Sequence, residues 1–195
     1  ELVFVRPGEI RQAKWNEIDF HKAQWLIPAE KTKSKREHLV PLAPQVIKMF
    51  QELKDICPDK QYCFPSHIKR QPLSDVAVRN ALHRLGYEKT DISLHGFRST
   101  ASTLLNKTGK FSKDVIEKQL AHIEKDKVRA AYNRAEYIED RVILMSWWAG
   151  FLDFCTKYAH MIQSKNVFDL LDTYGKSPKD ARSHRHGPGS EAQGG

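Results

Sequence analysis

Cysteine is scarce in this chain. Cys57, Cys63 and Cys155 stand far apart among 195 residues. An odd number without dense spacing excludes a disulfide framework and fits a reduced intracellular compartment. Long apolar runs are also missing. Nothing approaches the roughly 18 residues of a membrane span, and the N-terminus lacks the form of a signal peptide, so a soluble protein with no membrane partner is expected. There is no Walker-type phosphate loop and no carboxylate cluster to hold a catalytic metal. Acid falls short of base: 24 Asp and Glu against 32 Lys and Arg give a formal net charge of +8. That excess favours a polyanionic partner, nucleic acid first. The chain opens at Glu1 without Met, inside a strand or helix lead-in, and reads as a piece of a longer protein. Its length and 40% hydrophobic content allow one domain with a real core and room for a tail.

Taken in order, Pro7-Gly8 introduces a helix with Ile10, Ala13 and Trp15 at helical spacing, and Arg6 stands at its lip. Alone, Arg6 reads as a surface cation before a turn. Between Ile18 and Leu42 the pattern changes to short β-rich runs, Gln24–Pro28 and Glu37–Pro41, joined by a basic link that carries Lys31, Lys33, Lys35 and Arg36. An amphipathic helix follows from Pro44 to Cys57, with Val46, Ile47, Phe50 and Leu53 on one face. Cys57, Cys63 and His67 lack a fourth ligand and tight pairing, so they read as core or edge residues rather than a metal site. Ser74 caps a helix that holds Val76, Val78, Ala81, Leu82 and Leu85 inward and stops at Gly86. Lys69, Arg70, Arg79 and Arg84 suit either DNA-backbone contacts or an ordinary charged surface.

The densest chemistry lies between Leu94 and Tyr132. His95-Gly96-Phe97-Arg98 opens a helix filled by Ala101, Leu104 and Leu105 and ended by Thr108-Gly109. His95 and Arg98 are spaced to share a helical face. Ser112 caps the next helix, with Val115, Ile116 and Leu120 inward, and Leu120-Ala121-His122 follows. A further helix spans Asp126 to Tyr137, and an amphipathic one Arg141 to Tyr158. Beyond Gly175 the composition cannot bury a core, so a disordered end is expected. The residue types suit phosphate chemistry. Arg grips phosphate oxygens bidentately, His moves protons near neutral pH, and Tyr can act as a covalent nucleophile. Tyr132 and Tyr137 are both candidates.

His-x-x-Arg, then Leu-Ala-His, then Tyr ten residues later resembles the C-terminal half of a tyrosine recombinase catalytic domain. The wording Leu120-Ala-His-Ile-Glu-Lys-Asp-Lys-Val-Arg-Ala-Ala-Tyr132 is similar to prophage-type integrases in particular. Arg6-Pro-Gly-Glu9-Ile with Trp15-x-x-Ile18-Asp19 is similar to the family's first box, in which Arg clamps the phosphate and the acidic residue braces the site. The likeness covers roughly residues 1 to 155, and it changes the odds for Arg6. It implies an α+β fold, mostly helical, with a small antiparallel three-stranded sheet. It implies a catalytic domain over 1–158 and a C-terminal extension over 159–195, without the family's N-terminal DNA-binding domains.

The resemblance also assigns roles. Tyr132 is the nucleophile, ranked above Tyr137 by its distance from Leu-Ala-His. Arg6 and Arg98 clamp the phosphate, His95 is the general base and His122 gives a further hydrogen bond. Lys33 enters the minor groove from the hairpin, with Lys31 and Lys35 as competitors. The implied reaction breaks and rejoins DNA through a 3′-phosphotyrosyl bond, with no cofactor, neither ATP nor metal. The implied partners are double-stranded attachment sites, a recombinase tetramer on DNA, and accessory DNA-bending proteins, in a bacterial cytoplasm. The purpose would be to integrate or excise a prophage or genomic island. A catalytically silent DNA-binding module of the same fold stands as the alternative. A type IB topoisomerase shares the chemistry, and a metal-dependent nuclease is disfavoured by the scattered histidines.

Overall fold

The computed structural model describes residues 2–57, 59–67, 71–88, 93–122, 137–158 and 167–175. The first helix, α1, covers only Pro7–Arg11. Pro7 at its first position lacks an N–H that would go unused there anyway, and its fixed φ suits the helix. The expected continuation to Trp15 does not form. Ala13 and Lys14 pair instead with the chain at Tyr62 and Cys63: Cys63 N–H donates to the Ala13 carbonyl at 2.9 Å and Trp15 N–H to Gln61 at 3.1 Å. These cross-chain bonds replace the helical ones, and a separate 3₁₀ turn follows at Trp15–Glu17.

The three-stranded antiparallel sheet is present, in the order β1 (Ile18–Asp19), β2 (Gln24–Ile27), β3 (His38–Pro41). Its register sets Trp25 against Val40 and Ile27 against His38. Because side chains alternate across a strand, Trp25 and Ile27 are buried while Leu26 between them is exposed. Trp25 packs edge-on to Phe50 of α2 (Pro44–Ile56), with ring centres 6.4 Å apart. Val3, Val5, Ala13, Ile18 and Val46 complete this core.

The next helix, α3 (Asp75–Arg84), is capped as expected by Ser74, whose hydroxyl accepts from Ala77 N–H at 3.1 Å. Its expected inward face forms only in part, with Val78, Ala81 and Leu82 half-buried. No residue of α3 is buried, and Val76 and the following Leu85 are largely exposed. In α4 (Gly96–Thr108), Ala101, Leu104 and Leu105 are buried, and Gly109 closes the helix at φ 63°, a left-handed value that favours glycine. Ser112 caps α5 (Lys113–Gln119). After it, α6 runs Ile138–Lys157, three residues ahead of the expected start.

The chain divides into two compact units, Glu1–Ala149 and Gly150–Gly195. The second contains α7 (Val167–Gly175), where Tyr174 meets the rings of Phe151 and Phe154 at 5.6 and 5.5 Å. The helix expected from Asp126 falls outside the described residues, as does the chain beyond Gly175. Among the described residues, no helix is long and apolar enough to cross a membrane.

Candidate active site

Leu120-Ala121-His122 owes its form to the way α5 ends. His122 N–H donates to the Glu117 carbonyl at 3.0 Å and Ala121 N–H to Lys118 at 3.0 Å. That crossed pair of bonds needs a left-handed residue at the position of Ala121, which takes φ 49°. The turn has three consequences. Leu120 is driven into the core, the carbonyls of Leu120 and Ala121 are turned outward from the helix end, and His122 is left exposed.

Both carbonyls are taken by the arginines that the sequence singles out. Arg98, on the first turn of α4 and only 3% exposed, donates through Nη2 to Leu120 O and through Nη1 to Phe4 O. Phe4 is itself left-handed at φ 54°. Arg6 donates through Nη2 to Ala121 O at 3.4 Å. Its position is fixed by Glu9, a buried carboxylate. Glu9 accepts from Arg6 N–H at 2.7 Å, the helix-capping bond, and from Arg6 Nη1 at 3.0 Å. Glu9 therefore orients both the backbone and the guanidinium of Arg6.

His95 stands one residue ahead of α4 as its N-cap and is exposed. Its backbone is already helical and its carbonyl accepts from Ser99 N–H at 3.2 Å, while Arg98 three residues on is buried. His95 borders an open cleft with His83, Tyr87 and Leu94. Lys33 is exposed in the β2–β3 connection, with no ion pair among the described residues. Its competitor Lys31 is nearly buried and committed: its ammonium pairs with Glu17 and donates to Gln12 O at 2.6 Å. Tyr132 lies outside the described residues. Tyr137 is described, half-buried at φ 46° immediately ahead of α6.

Several neighbours carry no signal in the sequence. Glu117 Oε2 meets His122 Nδ1 at 2.6 Å, which fixes the ring and leaves Nε2 as its other nitrogen. The two are five residues apart, and only the reversal at Ala121 brings them together. Arg141, fully buried on the first turn of α6, donates through Nε to Gln119 Oε1 at 2.8 Å and through Nη2 to Leu39 O. It ties the chain just after Tyr137 to α5 and β3.

His38, buried beside these groups, is held down to a pKa of about 3, first by loss of hydration and then by the nearby Arg141 and Arg98 charges. The unfolded chain, with an ordinary His near 6.5, binds this proton first as pH falls. The His38 contribution is therefore complete above about pH 6.5 and declines by roughly 1.4 kcal/mol per pH unit towards pH 3. Urea unfolding at pH 7.5 and pH 5 is expected to differ by about 2 kcal/mol. Much of that difference should vanish in His38→Gln.

Two arginines and a histidine from distant segments thus meet at one helix end, within an α+β domain. That arrangement sets two fixed guanidinium groups beside the histidine that follows α5. Residues 3–139 match the phage integrase family, and the chain belongs to that family. It is 44% identical over 149 residues to prophage integrase IntA of Escherichia coli K12, across 76% of this chain and 36% of that protein. It is 41% identical over 187 residues to the integrase of enterobacteria phage P4, across 88% and 43%. To prophage integrase IntZ of Escherichia coli K12 it is 38% identical over 152 residues, across 78% and 37%. The chain therefore spans about two fifths of the length of these curated relatives.

Proposed function

We propose that this chain is the strand-cleaving and rejoining part of a site-specific DNA recombinase, working on attachment sites to integrate or excise a prophage or genomic island. One observation carries the reading: Arg6 and Arg98 bond to adjacent carbonyls of the turn that presents His122. A phosphate held at this helix end would meet a fixed Arg6 guanidinium and Nε2 of His122.

In the proposed step, the Tyr132 oxygen attacks phosphorus and its phenol proton passes to His95. The bond from phosphorus to the 5′-oxygen breaks, and that oxygen takes a proton from Lys33. Free tyrosine has a pKa near 10, so a nearby base is what makes it a nucleophile at pH 7. Arg6 and Arg98 offset the charge that builds on the non-bridging oxygens, and His122 donates a further hydrogen bond there. The phosphotyrosyl bond stores the energy of the phosphodiester it replaces, so rejoining needs neither ATP nor a metal. Double-stranded attachment sites, a tetramer of recombinase on DNA and accessory DNA-bending proteins are the partners this reading implies.

The test is covalent trapping on a nicked duplex in EDTA, with the products run on a denaturing gel. Wild type should give a slow protein–DNA adduct, and Tyr132→Phe should lower its formation by on the order of 10⁴-fold or more. An adduct that forms only with added divalent metal would refute the mechanism. The absence of any adduct would favour the silent DNA-binding module.

A further inference from the structure

The loop that carries Lys33 contains one residue that the reaction does not use and the fold has buried. Thr32 is 2% exposed, between exposed or half-buried neighbours on both sides. Loop threonines usually face water. This one has its hydroxyl turned back on the loop. The Oγ1 lies 2.8 Å from Arg36 O and 3.1 Å from Ala29 O, while Arg36 N–H donates to it at 3.2 Å and Ser34 Oγ at 3.3 Å. A hydroxyl has one proton and two acceptor sites. The shorter distance gives the proton to Arg36 O, and the acceptor sites take Arg36 N–H and Ser34. The backbone closes the same loop, with Lys35 N–H donating to Thr32 O at 3.3 Å and Lys35 turned left-handed at φ 54°.

The residue before Thr32 is pinned as well. Lys31 is held by Glu17 and by Gln12 O, and the other oxygen of Glu17 accepts from Trp25 Nε1 at 3.2 Å. Two consecutive anchors therefore precede Lys33, and the second also grips the connection at Arg36, two residues before β3. We propose that Thr32 is a positioning residue for Lys33, its hydroxyl closing the loop so that the lysine ammonium is aimed at the departing 5′-oxygen. This rests on the role proposed above for Lys33. A lysine side chain has four carbons and about 2 kcal/mol of rotamer entropy. Its ammonium stays within reach of one oxygen only if its backbone is fixed, and a proton donor must be within hydrogen-bond distance to act. In the step concerned, the phosphorus bond to Tyr132 forms, the bond to the 5′-oxygen breaks, and Lys33 gives that oxygen a proton and becomes a neutral amine.

The test uses two forms of one duplex, first selected from a randomised pool by covalent capture on the wild-type chain. One form keeps oxygen at the 5′-bridging position and the other has sulfur there. A thiol has a pKa near 8.5, so sulfur departs as thiolate without a proton. Lys33→Ala should slow single-turnover adduct formation about 10²–10⁴-fold on oxygen and only a few-fold on sulfur. Thr32→Val, which keeps the shape and removes the hydroxyl, should slow the oxygen substrate about 10-fold or more and leave sulfur within about 2-fold. Thr32→Ser should restore the oxygen rate.

Equal losses of Thr32→Val on both substrates would make Thr32 a structural residue and overturn the proposal. So would no loss on either. If sulfur fails to rescue Lys33→Ala, the proton-donor role itself is wrong, and the positioning role falls with it. If the wild-type chain captures no duplex at all, it is the recombinase reading that fails.

Discussion

Replacing Arg98 with alanine is expected to cost about 3–5 kcal/mol of folding stability, more than a typical core truncation of one or two methyl groups. The reason is geometric. One buried guanidinium serves Phe4 O and Leu120 O, on segments more than a hundred residues apart in the chain. Its removal leaves two buried carbonyls that have lost a charge-assisted partner. At this chain length a loss of that size lowers the melting temperature by on the order of 10 °C. Arg98→Lys should recover only part of it, because a single ammonium cannot reproduce the fork that spans both carbonyls. Thermal and urea denaturation of the two variants check this. A change below about 1 kcal/mol in Arg98→Ala would show that the guanidinium does not hold these segments together.

The second large effect is the reverse case. Arg6→Ala is expected to leave a folded protein but to slow covalent adduct formation about 10²–10³-fold, the usual result of removing one preorganised donor to a developing oxyanion. Arg6 keeps 24% of its side chain exposed, and its bond to Ala121 O is long at 3.4 Å. What the fold loses is mainly the pairing with Glu9, whose other oxygen still accepts from the residue 6 backbone. The stability cost should therefore stay near 1–2 kcal/mol. Single-turnover cleavage, read beside a melting curve, separates the two arginines: loss of Arg6 should show chiefly in the cleavage rate, and loss of Arg98 in the melting temperature as well. A variant that cleaves within a few-fold of wild type would remove Arg6 from the clamp.

The sequence shows most of this frame because local chemistry decides it. The β-rich runs Gln24–Pro28 and Glu37–Pro41, which form strands at Gln24–Ile27 and His38–Pro41, the Ser74 and Ser112 caps and the Gly109 stop are each read from a few neighbouring residues. The features it hides depend on distant partners. The apolar spacing of α3 predicts a buried face, but spacing cannot supply something to bury it against, and Val76 remains exposed. The early end of α1 depends on pairing with Tyr62 and Cys63, some fifty residues further on.

At the site, the sequence names the arginines and histidines but not their partners. Glu117 reaches His122 only through the left-handed Ala121, and the Arg98 acceptors are backbone carbonyls, which no residue type announces. Lys31 shows the same limit in another form. In sequence it competes with Lys33, whereas in the fold its ammonium is committed to Glu17.

The proposed mechanism turns on its nucleophile, and the most direct measurement locates that residue. The trapped adduct would be digested with protease and nuclease, and the peptide carrying the nucleotide remnant identified by mass spectrometry. A 3′-phosphoryl nucleotide is expected on the tyrosine of the peptide containing Ala131-Tyr132-Asn133. Attachment at Tyr137, at a serine or at a histidine would contradict the mechanism.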